Sequence, residues 1–378
     1  MSAEISTTQK TERIHAIDGL RGYAALMVIF YHSLLIFIDK RPVGHRVGDV
    51  LTSSTWSASF PDILLKFLLS LINGQTAVML FFGISGAVLF RSLKADTASD
   101  WLKLPFVFTA KRVVRIYPAL IVCLFVFFLI NQFVNTLAPA TYPAIPIIDV
   151  IKNATLYQIT LHGASWTLQV EMIAIPFLLL AFALKRWLGI AALFMLLGYS
   201  LMVREVSAMG LGSASAYLWM PCFTIGMLAA NLYESKAVIE STSKFKWAIF
   251  LFLFIFLMTL ASPFYLTPFI LQIGALFFVI THVMGKEQSA LNKFLSLGIS
   301  QYLGKISYSL YLWNVPLLYI IAYYISGITV SDYYITLGML TGLVLAAITI
   351  PIAHISERYL ERIKLPSARK AAPETVTI

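Results

Sequence analysis

The chain has 378 residues, 59% of them hydrophobic and only 12% charged, with a formal net charge of +10. That is too apolar for a soluble domain, and the long apolar runs exclude a β-barrel, whose strands would alternate over short segments. The positive charge reads as a topology signal, and with nothing resembling an RNA- or DNA-binding module, no nucleic acid is expected as a partner.

In chain order, residues 1–17 are polar. The apolar run that follows is too long for a signal-peptide core and lacks a small-residue cleavage site, so it reads as a retained anchor. Apolar windows predict spans near 20–38, 66–90, 113–134, 167–184, 188–203, 215–233, 247–262, 266–284, 304–325 and 333–355. The expected fold is therefore all-α, a polytopic helical membrane protein of about ten transmembrane helices. The run 75–90 is the least secure as one straight helix with what precedes it. Pro263 and Pro268 predict a tight turn between two spans. With the N-terminus inside, all but six of the 28 Lys and Arg residues fall on inner segments, which places both termini in the cytoplasm. Two outer loops, 39–65 and 135–166, are long, and the second carries His162 and Trp166. One membrane domain over 1–365 and a short polar cytoplasmic tail over 366–378 are expected. Cys123 and Cys222 sit in apolar surroundings and read as small core residues.

The stretch from Asp18 to His32 opens the first span. Arg21 and His32 are separated by about three helical turns plus roughly 20°, so they share one stripe, and Asp18 lies within roughly 40° of it. The rise puts His32 about 16 Å beyond Arg21, near the middle of an apolar layer about 30 Å thick. Ionisable residues at that depth usually face a protein interior or a watery cavity, which marks a candidate site. A snorkelling arginine and a satisfied core histidine are the plainer alternative.

Four further stretches carry candidates. Phe81-Phe82-Gly83-Ile84-Ser85-Gly86 offers small residues for close helix packing or, alternatively, a cleft beside a ligand, with Ser85 its polar group. Lys111, Arg112 and Arg115 stand at the inner mouth of the third span. Arg112 and Arg115 share a helix face and suit phosphate groups, or simply anchor the helix on its positive side. Trp166 opens the fourth span and Glu171 follows about one turn inside from the outer end, a functional carboxylate or one stabilised by the helix N-terminus. The ninth span holds Tyr308 and Asn314, the latter at about the depth of His32 and able to bond to His32, to a substrate or to a neighbouring helix. A base, cations for a phosphate-bearing donor and oxyanion donors together suggest acyl transfer. No Gly-rich phosphate loop and no paired His/Glu spacing appear, so neither a nucleoside triphosphate nor a metal is expected.

These motifs, in this order, resemble the acyltransferase-3 family of integral-membrane O-acyltransferases. The resemblance rests on Arg21-x10-His32, Phe81 to Gly86, Arg112-x-x-Arg115-Ile-Tyr-Pro, Trp166-Thr-Leu-x-x-Glu171 and Gly304-Lys-Ile-Ser-Tyr-Ser-Leu-Tyr-Leu-Trp. The ending Ser356-Glu357-Arg358-Tyr359-Leu360-Glu361 is a weaker echo. The resemblance implies a multi-pass enzyme of the bacterial inner membrane that takes an acyl group, acetyl foremost, from cytosolic acyl-CoA. The acceptor it implies is a hydroxyl of a cell-surface or lipid-linked glycan. It also implies that Arg21 and His32 form the central pair, with Glu171 as the acidic residue and Arg112 and Arg115 facing the donor. Where the family commonly has histidine after Leu-Trp, this chain has Asn314, which hydrogen-bonds but does not titrate. On this reading the catalytic set is His32, Arg21, Glu171 and Asp18, with Ser85, Trp166, Tyr308 and Asn314 in support. Acylation of a small molecule, transport of a glycan or lipid precursor, and a non-catalytic role in a glycan-assembly complex are the alternatives. Lipid-facing and partner-facing surfaces are equally apolar, so the sequence carries no oligomer signal.

Overall fold

The computed structural model of the chain describes residues 15–38, 60–95, 103–137, 139, 143–206, 214–260, 266–285, 289–325 and 333–363. Among these residues there is no strand. The helices are α1 (His15–Ile38), α2 (Phe60–Leu71), α3 (Gly74–Ala95), α4 (Leu104–Leu137), α5 (Ile147–Ala154), α6 (Ser165–Leu188) and α7 (Ala191–Glu205). They continue with α8 (Ala214–Leu232), α9 (Lys236–Thr242), α10 (Lys246–Leu260), α11 (Leu266–Met284), α12 (Ala290–Leu295), α13 (Gly298–Tyr324) and α14 (Tyr334–Ser356), and α14 ends in a π-turn over Glu357–Glu361. The expected turn around Pro263, the first outer loop up to Ser59 and the C-terminal tail lie outside the described residues.

Among the described residues seven stretches are long and apolar enough to cross a membrane, so the protein is a multi-pass membrane protein, and the expected count of ten does not hold among them. The difference lies in the middle of the chain. The expected spans 188–203 and 247–262 are helices of 15 residues each, α7 and α10. At 1.5 Å per residue α7, whose two ends are both described, covers about 22 Å, short of the roughly 30 Å apolar layer. The described parts of α10 and α8 are Lys246–Leu260 and Ala214–Leu232. Apolar windows count residues; the α-helical rise decides what they reach. The placement of both termini on one side rested on an even count and does not follow from these seven. The second expected span is interrupted where doubt was greatest. Asn73 sits between α2 and α3, and its side-chain oxygen accepts the N–H groups of Gln75 and Thr76 at 2.8 and 3.1 Å, starting α3 afresh.

α1 is the central helix, packed against α13, α14 and α3, while α3 packs in turn on α8. Both close crossings are made possible by glycine. A Cβ on Gly22 would stand 2.6 Å from the Gly304 nitrogen and 2.7 Å from Leu303, so α1 and α13 touch backbone to backbone. Gly226 of α8 lies against the Gly83 carbonyl, where an added Cβ would also stand 2.8 Å from the Ala87 nitrogen. Small residues at helix crossings allow the van der Waals contact that drives association in lipid. Gly226→Ala is therefore expected to destabilise the protein by about 1–3 kcal/mol, because the opposing atoms are backbone and cannot swing away. Thermal unfolding in detergent would check this, and an unchanged midpoint would show that α3 and α8 can separate freely.

Candidate active site

The site lies where α1, α3, α4, α6 and α13 meet. At one end a narrow cleft of about 40 Å³ is lined by Arg21, Arg112, Arg115, Glu171, Thr167 and Tyr308 together with Phe81, Phe82 and Tyr311. Glu171 accepts from an Arg112 Nη at 3.0 Å and from the Ser85 hydroxyl at 2.9 Å. Arg112 is buried, Arg21 half-buried and Arg115 exposed. Arg21 is in electrostatic reach of Arg115, Glu171, Asp18 and Arg112. Among the described residues, however, no carboxylate stands within ion-pair distance of Arg21 or Arg115. The cleft thus holds three guanidinium groups, of which only Arg112 is directly paired. Tyr308 closes its side by donating to the Ile116 carbonyl at 2.7 Å.

Eleven residues further along both α1 and α4 lies a second polar group, His32 on α1 and Cys123 on α4. His162 is fully buried there. Its Nδ1 accepts from the Ala164 N–H at 3.3 Å, which leaves the proton on Nε2 to donate to the Leu312 carbonyl at 3.1 Å. Cys123 Sγ is 3.6 Å from the same Nε2 and 3.7 Å from the same carbonyl. With both nitrogens engaged, His162 fixes the chain. His32 is half-buried and within electrostatic reach of His162. Asn314 is the amide beside it. Its Nδ2 donates to the carbonyls of Leu310, at 3.3 Å, and Tyr311. That leaves Asn314 Oδ1 buried without a partner, and His32 Nδ1 is buried without one as well.

The two ends are joined by a segment that sequence reasoning read differently. Glu171 was expected near the outer end of its span and Arg112 at the inner mouth of another, yet they form an ion pair. The connection before α6 explains it. It brings the buried His162 to Cys123, eleven residues along α4 from Arg112, so that α6 begins there and Glu171 reaches the arginines. Irregular backbone needs partners for its polar groups, and this segment is tied down. Asn153 Oδ1 accepts from the Leu161 N–H at 3.1 Å and Gln169 donates to the Leu156 carbonyl at 2.8 Å.

The other expected residues fall as follows. Gly86 and the Gly83 carbonyl serve the contact with α8 and the open side of Gly83 meets Ile280 and Leu276 of α11, as the packing reading expects, while Ser85 between them faces Glu171. Trp166 stands in an aromatic group with Phe82 and Trp219, at ring distances of 6.1 and 5.9 Å. Lys111 is exposed beside the cleft, and Asp18 acts on Arg21 by charge. Cys123 and Cys222 are buried and free. His162 and Glu361 were not expected at the site. His162 had only its place before Ser165-Trp166 to mark it, and Glu361 only the weak motif at the chain's end. Among the described residues no group of three or more His, Cys, Asp or Glu side chains is placed to hold a metal ion.

A family model for an acyltransferase domain matches residues 14–356. The chain belongs to the acyltransferase-3 family. No curated protein and no solved structure matches it. Membership supports an acyltransferase activity carried out in a membrane, and the match takes in every helix that lines the site. In this acyltransferase the cationic cleft and the histidine end lie about 16 Å apart by helix rise along α1.

Proposed function

We propose that the protein moves an acyl group, acetyl foremost, from cytosolic acyl-CoA to a hydroxyl of a cell-surface or lipid-linked glycan. It would do so as a single catalytic unit in a bacterial inner membrane. The observation that carries this reading is the cleft: a family acyltransferase holds, in an apolar bundle, two guanidinium groups that have no directly paired carboxylate among the described residues. Such groups suit the phosphates of coenzyme A, which Arg21, Arg112 and Arg115 would seat, with Lys111 outside. The basic residues gathered at this mouth, Lys111, Arg112 and Arg115, favour opening it to the cytosol. The pantetheine arm, three linked units each longer than an α-amino acid, spans a distance of the order separating Arg21 from His32. The thioester would then lie beside His32.

There the acceptor oxygen attacks the thioester carbon, the carbon–sulfur bond breaks, and coenzyme A leaves as its thiol. The acceptor's proton passes through His32 to the departing sulfur. Asn314 supports this role. Its orphaned oxygen can only accept, and His32 Nδ1 beside it needs a partner, so the favoured tautomer carries the proton on Nδ1 and leaves Nε2 basic. Glu171 holds Arg112, with Ser85 steadying the carboxylate and Asp18 balancing Arg21. Proton NMR of the surface polysaccharide from a deletion strain, with and without the gene restored, tests the reading. Ester signals that appear on restoration and vanish after mild base are expected, and identical spectra would turn the search to small-molecule acceptors or transport.

A further inference from the structure

The arginine cleft has a third carboxylate nearby, Glu361, that takes no ion pair among the described residues. The π-turn Glu357–Glu361 winds the end of α14 onto α4 and α13, a departure from α-helix often found at functional positions. Its first residue is clamped, since Glu357 binds Arg362 at 2.9 Å and Lys305 at 3.4 Å. Its last residue is Glu361, whose Oε1 accepts from the Ser309 hydroxyl, and Ser309 lies 2.7 Å from the Ser356 hydroxyl. These hydroxyls fix the carboxylate short of contact with the arginines. It nevertheless acts electrostatically on Arg115 and Arg21, and on Tyr308 in the cleft wall. The cationic group is therefore close to balanced, with three guanidiniums facing Glu171, Asp18 and Glu361.

That balance has a use if the cleft seats coenzyme A, the reading on which this inference rests. Donor and product carry the same phosphates. An unbalanced cluster of arginines would hold the product as firmly as the donor. We propose that Glu361 is a positioning residue that acts through Arg115 and Arg21, keeping the phosphate seat weak enough for coenzyme A to leave. Ser309 keeps the carboxylate near the arginines while denying it a direct pair that would block the seat.

The test is equilibrium binding of coenzyme A to the full-length protein in lipid nanodiscs, at low and high salt. Glu361→Gln keeps the acceptor for Ser309 and removes the charge. It is expected to lower Kd about three- to tenfold at low salt, with the difference shrinking as salt screens the site. Glu361→Asp, which restores the charge, is expected to bring Kd back toward wild type. A merely structural lesion would weaken binding, so an unchanged or higher Kd in Glu361→Gln overturns the proposal. Should that variant fail to fold, Ser309→Ala decides. The released carboxylate would pair with Arg115, and Kd should rise several-fold; an unaltered Kd would overturn the proposal. Absence of coenzyme A binding to the wild-type protein would remove the donor reading itself, whereas binding that Glu361→Gln fails to tighten removes this inference alone.

Discussion

His32→Ala is expected to cut the rate of acyl transfer by about 10²- to 10⁴-fold, the range contributed by a positioned general base. Affinity for the donor should barely change, because the arginine seat lies about 16 Å away along α1. The loss therefore belongs in kcat. His32 is half-buried beside Asn314, so truncation also removes some packing. His32→Gln, closer in size and without a titrating group, controls for this and should be nearly as inactive. Purified protein in nanodiscs, assayed for thiol release with an acceptor and checked for coenzyme A binding, would give both quantities. A variant that retains more than about a tenth of the wild-type rate would exclude His32 as the base. A variant that loses donor binding as well would place His32 in the donor seat.

What the sequence made legible was local. Arg21 and His32 lie on one helix, so a single periodicity fixes their shared stripe and spacing, and α1 is continuous from His15 to Ile38. The starts of α6 and α14 fall within two residues of their expected spans for the same reason. What it did not make legible depends on how separate helices are staggered. The pairing of Arg112 with Glu171 joins residues 59 apart and requires the segment before α6 to meet α4 at Cys123, which no apolar window records. His162 is polar, lies in a stretch read as an outer loop, and is buried where that segment meets Cys123. Glu361 depends on the change from α to π winding, which shifts it toward Ser309 and away from the face a regular helix would give it. The span count failed on a different ground, since α7 has the composition of a membrane helix without its length.

Glu171→Ala is expected to cost about 3 kcal/mol or more in stability, the largest effect of any single substitution in the cleft. The carboxylate is 18% exposed and Arg112 only 10%, so removing the first leaves a guanidinium largely out of water. One Arg112 nitrogen, Nε, is already buried without a partner, and no other carboxylate pairs with this side chain among the described residues. Arg21 and Arg115 add repulsion that Glu171 now offsets. The attraction within the pair is not itself the measure of this loss. Most of it comes from the stranded charge, as a double-mutant cycle can show. Arg112→Met combined with Glu171→Leu removes both charges and refills the space, and should recover most of the stability while remaining unable to seat a donor. Denaturation of the four proteins in detergent would separate the contributions. Equal destabilisation in the single and double variants would mean that Glu171 supports the fold through Ser85 and its packing, independently of Arg112.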